Sequence, residues 1–448
     1  MATIEATTPA ADNRPKLFRD ASFWGIGITQ FLGAFNDNLF KQLVLFVCVL
    51  QAVGDRAENA QGTAMLVFAI PFVALSGFSG FLADRYSKKT IIVISKLLEV
   101  VVMTLGLIAF LSGSLNALFA VLFCMGAQSA FFGPSKYGIL PELFRQKDLP
   151  RANGWFLMTT FMAIIFGVAL AGTLMETFRD QIWIASAICI TIAIIGTISS
   201  FFVRTTPVAQ PGLEFHPGAL FIPRETRALL WEKRRLLKVL IVTSLFWCTG
   251  AVYQLAVNDI GILQLQIGEE QTGYLGACAA IGIAVGCVAA GRLSHGTFHA
   301  GIVRIGAAGM MVTLLLLAAP GSARGGTLLG TGGTAGMLVV LGIFAGLFAV
   351  PLQVYLQAKT PIEQKGRIIA TMNVLNWIGI AFSGIYHKAF NQLFTYLAIP
   401  PATMFAAAAL ILVPVVVFYR PEHESLDDGV EAASEQDASV ADEPACAV

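Results

Sequence analysis

The chain has 448 residues, of which 56% are hydrophobic and 13% charged, and its formal net charge is +1. Soluble proteins carry roughly 25% charged residues, so water is excluded as the main solvent and a bilayer takes its place. With almost no net charge, the basic residues act as a topological signal and not as a nucleic-acid patch.

Residues 1–22 form a polar segment with Arg14, Lys16 and Arg19. The apolar run behind it is too long for a signal-peptide core, and no small-residue cleavage site precedes a soluble domain. That first span is therefore expected to stay. Apolar runs of about 20 residues, enough to cross about 30 Å of hydrocarbon as helices, follow at 23–50, 62–83, 91–112, 115–134, 152–175 and 182–203. Six more lie at 237–265, 272–294, 301–319, 334–357, 368–394 and 401–420. These runs are too long and too uniformly apolar for a closed barrel of about 10-residue alternating strands. The expected fold is an all-α membrane protein with twelve transmembrane helices.

Between the two sets, residues 204–236 hold prolines at 207, 211, 217 and 223 and a dense run of charges, the pattern of a cytoplasmic linker. The flanking units are an N-terminal six-helix half, 23–203, and a C-terminal one, 237–420. Residues 421–448 are acidic, rich in small residues and aperiodic, as expected of a disordered cytoplasmic tail. With both termini inside, 23 of the 29 Lys and Arg fall on the inner side and only Arg56, Arg179, Arg324 and Lys388 outside, with Lys41 and Lys96 in the membrane. The seven cysteines are isolated from one another and show no metal-ligand spacing. No nucleophile–base arrangement, phosphate-cradling loop or haem motif stands out, so no enzyme activity, metal or cofactor is expected.

The halves echo each other. Phe23-Trp24-x-x-Gly27 followed by Asn36-Asp37 returns as Phe246-Trp247-x-x-Gly250 followed by Asn258-Asp259; Phe131-x-x-Pro134 returns as Phe348-x-x-Pro351; Gly167-x4-Gly172 returns as Gly379-x4-Gly384. Three echoes in the right order at nearly constant offset point to a parallel duplication, as in 6+6 transporters.

Within the first span stands "GAFNDNLFKQ", residues 33–42. At 100° per residue, Gln30, Asp37 and Lys41 fall within about 40° of one another, with Asn36 and Asn38 beside them. Charged groups at membrane depth cost at least about 2.5 kcal/mol each on insertion scales and normally face the bundle interior on a pathway. The alternative is an Asp37–Lys41 pair that only locks packing. Gln254 and Asn258 share a face of the seventh span, and Asn373 and Asn376 lie about 60° apart on the eleventh; all could converge on one cavity. Asp259 points about 140° away from Gln254, and His387 has no obvious partner. Lys96 and Glu99 suit a pair, or a lysine snorkelling to the inner surface. Gly273, Gly276, Gly282 and Gly286 suit helix packing, and Gln353 with Gln357 suits a gate.

The loop after the second span, Gly80-Phe81-Leu82-Ala83-Asp84-Arg85-Tyr86-Ser87-Lys88-Lys89, resembles the loop signature of the major facilitator superfamily, with Ser87 where glycine is usual. Gly80 would allow close helix approach. The resemblance implies a gating role for Asp84, Arg85, Lys88 and Lys89, with Asp84 facing the N-terminal end of the eleventh helix in an outward-facing state. The equivalent second-half loop, 291–300, is degenerate and has His295 at the acidic place. The arginine in the fourth helix and the Gly-Pro motif in the fifth that mark proton-coupled drug antiporters are both missing.

A narrower resemblance lies in "QFLGAFNDNLFKQ" (30–42), "FFGPSKYGILPEL" (131–143) with Ala152-Asn153-Gly154, "SLFWCTGAVYQL" (244–255) and "VPLQVYLQ" (350–357). These segments are similar to the lysophospholipid transporter branch of that superfamily, some of whose members are fused to an acyltransferase and an acyl-ACP synthetase. The resemblance implies movement of lysophosphatidylethanolamine-like lipid to the cytoplasmic leaflet of a bacterial inner membrane for reacylation. It also implies a separate acyltransferase or acyl-ACP synthetase as partner. Asp37 matches the branch, whereas Gln254 and Asn376 stand where it carries an arginine and a glutamate. Two other readings stay open: transport of another amphiphile or drug, and a membrane platform that recruits an acyltransferase.

Overall fold

The computed structural model describes residues 15–53, 60–145, 148–208, 212–214, 224–293, 297–298, 300–321, 327–360, 365–420 and 424–425. His295, most of the acidic tail and part of the linker lie outside the described residues. The α-helices are α1 (Ala21–Val53), α2 (Gln61–Arg85), α3 (Lys88–Ser112), α4 (Leu115–Gly138), α5 (Leu140–Leu143), α6 (Leu149–Thr177) and α7 (Trp183–Phe201). They continue with α8 (Arg224–Glu232), α9 (Arg234–Asp259), α10 (Gly268–Leu293), α11 (Ala300–Leu317), α12 (Gly330–Lys359), α13 (Lys365–Tyr396) and α14 (Thr403–Phe418). Eleven are long and apolar enough to cross a membrane, and α14, at 16 residues, is the shorter apolar twelfth. The chain is a multi-pass membrane protein.

Local chemistry sets several boundaries. Gly113 ends α3 in the left-handed region at φ 62°, where a side chain would be strained. The Ser114 side chain then caps α4 by accepting from the Ala117 amide. The seventh run does not remain one α-helix: beyond Asp259 it widens into a π-helical segment, Ile260–Leu265, that closes on Gln266 at φ 53°. Within the expected linker, α8 is helical because Leu230 is buried and Leu229 packs against the same apolar cluster, while Arg224, Arg227 and Trp231 face outward.

The buried apolar residues collect in three clusters. One runs from Leu230 to Val415 and is built by α8 to α14. Another is built mainly by α1 to α7, but also takes in Leu255 of α9 and Ile262 of the π-helical segment. The third gathers Leu17, Phe23, Ile139 and Phe156 around the start of α1. Between the two helix sets, α2 packs on α13 and α6 on α10. A Cβ at Gly62 would collide with the Gly384 carbonyl and one at Gly384 with the Gly62 carbonyl, so α2 and α13 touch backbone to backbone. Gly282 likewise leaves no room for a Cβ against Val339 of α12, in keeping with the packing role expected for it.

Candidate functional site

Two ends of the bundle are distinguished by the segment after α7. The linker end holds the starts of α1, α9 and α13; the distal end holds the starts of α2 and α10. At mid-depth, α1 presents the polar stretch, and its side chains do not share one destination. Gln30 is buried and spent on α6: its Nε2 donates to Thr159 Oγ1 at 2.6 Å, and its Oε1 accepts from Thr160 Oγ1 at 3.0 Å. The common face drawn from angles alone is thus interrupted by a neighbouring helix. Asn36 is fully buried toward α3 and donates to Glu99 Oε1 at 2.9 Å. Asp37 is half-buried, and its Oδ2 accepts from Ser129 Oγ of α4 at 2.6 Å. Asn38 donates to the Ala34 carbonyl at 2.8 Å and accepts from Lys41 Nζ at 3.1 Å. Lys41 lies 5.5 Å from the Phe68 ring centroid. No ion pair joins Asp37 and Lys41 among the described residues, so the locking pair weighed from the sequence does not form. Lys96 and Glu99 do pair, and both are buried, so Lys96 does not snorkel.

The first and seventh spans do meet, but through Gln42 in place of Asp37. Gln42 Nε2 donates to Asn258 Oδ1 at 2.8 Å, and its Oε1 accepts from Gln254 Nε2 at 3.1 Å. Asn258 Nδ2 donates to Gln61 Oε1 at 2.7 Å, and Gln61 Nε2 donates to Asp259 Oδ1 at 2.7 Å. His387 Nε2 sits 2.8 Å from Asp259 Oδ2. Asp259, unassigned from the sequence, therefore finds its partner in His387, and the chain of contacts ties α1 and α2 to α9 and α13. Toward the same distal end, Arg179 binds both carboxylate oxygens of Glu269, at 2.6 Å to Oε1. Glu176 accepts from the Glu270 amide at 3.1 Å. Between these layers and the linker end, Phe72 and Trp377 stack with centroids 3.6 Å apart. The described polar contacts between α1–α7 and α9–α14 gather at the distal end.

At the linker end, the Gly80–Lys89 motif turns mostly inward on its own helix set. Lys88 pairs with Glu142 of α5. Arg85 Nη1 donates to the Leu213 carbonyl at 3.0 Å, and the guanidinium carbon Cζ lies 5.8 Å from the Phe81 and Tyr86 ring centroids. Asp84 is exposed and makes no hydrogen bond or ion pair among the described residues; Lys89 is half-exposed. A Cβ at Gly80 would meet nothing within 4 Å, so the close approach expected there is absent in this conformation. On α13, Asn373 is exposed and Asn376 buried, its Oδ1 without a partner.

Lys136, near the end of α4, went unremarked in the sequence although it lies within "GPSKYGIL". It is half-buried, with Nζ 5.7 Å from the Phe132 centroid and 4.9 Å from that of Tyr137, and it acts electrostatically on Asp37. Gln61 was missed because it opens α2 next to an apparent loop. The side chain of Gln357 lies outside what the structure describes, while Gln353 is half-buried.

The sequence profile of the Major Facilitator Superfamily matches residues 22–384. Proteins named lysophospholipid transporter LplT from Yersinia pestis (strain Pestoides F) and Yersinia pseudotuberculosis serotype I (strain IP32953) are each 29% identical over 357 residues, covering 78% of this chain and 80% of theirs. Among solved structures, a point mutant of the nucleoside transporter NupG superposes with a TM-score of 0.63 at 15% identity, covering 88% of this chain and 98% of that one. A POT family transporter in complex with a thioalcohol-conjugated peptide gives 0.65 at 12% identity, with 88% and 96% covered.

Proposed function

Because the chain belongs to the Major Facilitator Superfamily, we propose that it is a secondary transporter of lysophospholipid working by alternating access, its halves 23–203 and 237–420 rocking about a central site. The observation that carries this reading is the one-ended closure: six polar side chains from Gln42 to His387 tie the helix sets together distally. Asp84 and Asn373, nearer the linker, stay exposed. With the basic linker in the cytoplasm, this is an inward-facing state.

The substrate class is supported by the relatives' printed name and by the charges that remain accessible. Asp37 and Lys136, both half-buried, offer a carboxylate and an ammonium to a zwitterionic head group: Lys136 to the phosphate and Asp37 to the ammonium. Lys41 is turned onto Asn38 and the Phe68 ring. A single acyl chain would lie along apolar helix faces. The direction is toward the cytoplasmic leaflet of a bacterial inner membrane, where a separate acyltransferase or acyl-ACP synthetase reacylates the lipid.

Proteoliposomes test this. Labelled lysophosphatidylethanolamine should cross faster than its diacyl counterpart. Equal rates would indicate a scramblase-like path, and movement of neither lipid alongside saturable transport of cationic drugs would assign the chain to drug transport.

A further inference from the structure

Asp37 stands on α1, but its side chain is held from α4. Among the described residues its carboxylate makes one hydrogen bond, accepting from Ser129 Oγ at 2.6 Å. That is the length of a charge-assisted O–H···O⁻ bond, stronger than its neutral counterpart. Lys41, Lys96, Lys136 and Glu99 act on the carboxylate electrostatically, none of them through an ion pair with it among the described residues.

Ser129 has a second partner, which fixes where its proton points. Gln128 Nε2 lies 2.7 Å from Ser129 Oγ. An amide nitrogen only donates and a hydroxyl carries a single proton, so Ser129 accepts from Gln128 and gives its own hydrogen to Asp37 Oδ2. Ser129 is 9% and Gln128 5% exposed, so little water competes for either bond. The contact also carries a position. Lys136 lies seven residues beyond Ser129 on α4, about 20° round the helix at 100° per residue and about 10 Å along its axis. The Asp37 carboxylate is thereby tied to the helix that bears the Lys136 ammonium. Both α1 and α4 belong to the N-terminal half, so their spacing is kept when one half rocks against the other.

We propose that Ser129 is a positioning residue for head-group selection: it registers the Asp37 carboxylate against Lys136. This role rests on the assignment of Asp37 to the lipid ammonium and of Lys136 to the phosphate. It adds that the placing of the carboxylate, and not its charge alone, distinguishes a zwitterionic head from a bare phosphate. A head group without the ammonium does not use Asp37 and does not depend on where Ser129 holds it.

Thermal unfolding of the purified protein in detergent tests this, with half-saturating concentrations read from the rise in midpoint that a ligand of the folded state produces. The probes are lysophosphatidylethanolamine and lysophosphatidic acid of the same acyl chain. Ser129→Ala should raise the half-saturating concentration of the first about tenfold and that of the second by no more than about twofold. Ser129→Thr keeps the hydroxyl and should restore the wild-type preference. Should Ser129→Ala not fold, Ser129→Cys, whose thiol is a weak donor, takes its place with the same expectation. An equal loss for both lipids, an unchanged preference, or no rescue by threonine would overturn the positioning role. Asp37→Asn is measured alongside. If it loses the preference while Ser129→Ala keeps it, the head-group assignment stands and only the role of Ser129 fails; if it too keeps the preference, the assignment fails and the role with it.

Discussion

At the scale of single residues, the structure sets two lysines, Lys41 and Lys136, in different surroundings. Lys41 is buried, its ammonium held by Asn38 and the Phe68 ring, whereas Lys136 is half-buried, with its ammonium over the Phe132 and Tyr137 rings and in no ion pair among the described residues. Cations over ring faces are held loosely, at about 0.5–1 kcal/mol in exposed settings, and leave readily for a phosphate. Lys136→Ala should therefore weaken competition by lysophosphatidylethanolamine about ten- to a hundredfold, the equivalent of about 1.5–3 kcal/mol for a charge-assisted hydrogen bond. Competition by monoacylglycerol, which lacks phosphate, should change little, and Lys41→Ala should have the smaller effect on both. Equal losses for the two competitors would remove Lys136 from head-group recognition. Asp37→Asn should abolish or strongly reduce lysophosphatidylethanolamine uptake in spheroplasts at near-normal expression, because the amide keeps the Ser129 contact and discards the charge. Undiminished uptake would reduce Asp37 to a packing role.

At the scale of helices, the distal lock joins α1, α2, α9 and α13 through neutral amides and one His–Asp contact. Replacing His387 by alanine removes the contact at Asp259 Oδ2, and replacing Gln61 by leucine breaks the amide chain at its centre. Each should shift the resting population toward distal opening by about 1–3 kcal/mol, the cost of a lost buried partner. Spin labels at the distal ends of α2 and α13, in a background without native cysteines, would report the change; an unaltered distance distribution would show that the apolar contacts alone hold that end closed. The helices themselves were legible in the sequence, since a bilayer forces long apolar runs and internally satisfied backbones. The lock was half legible. Asn258 and Gln254 announced themselves as amides at membrane depth, but their partners Gln42 and Gln61 lie beside a lysine and a loop, where polar residues pass as ordinary. The common face of Gln30, Asp37 and Lys41 failed because angular position on one helix does not say which neighbouring helix claims each side chain. Only packing decides that, as α6 does for Gln30.

For the whole molecule, the exposed Asp84 is the complement of the closed distal end. If its carboxylate meets the start of α13 when the linker end closes, Asp84→Ala should bias the protein further toward the conformation described above. The expected size is about 0.3–2 kcal/mol for a carboxylate at a helix end. Cysteine accessibility on both sides of vesicles measures the balance, and unchanged accessibility would deny Asp84 its gating role.

The helices are also unequal in length, and the membrane must answer for it. At about 1.5 Å per residue, the 16 residues of α14 span about 24 Å and the 18 of its neighbour α11 about 27 Å, while α1 has 33 residues to spend. Where α11 and α14 pack side by side, the protein presents a flank shorter than an average hydrocarbon core, which the surrounding lipid meets by thinning, at fractions of a kcal/mol per Å of mismatch. A bilayer already thin enough to match that flank would need no local deformation around α11 and α14, so movement of the C-terminal half would carry no mismatch cost. Transport should therefore run faster in bilayers of short-chain lipid than in thick ones at matched fluidity, and lengthening α14 by one apolar turn should shift the optimum toward thicker membranes. A rate indifferent to thickness would show that this mismatch plays no part in transport.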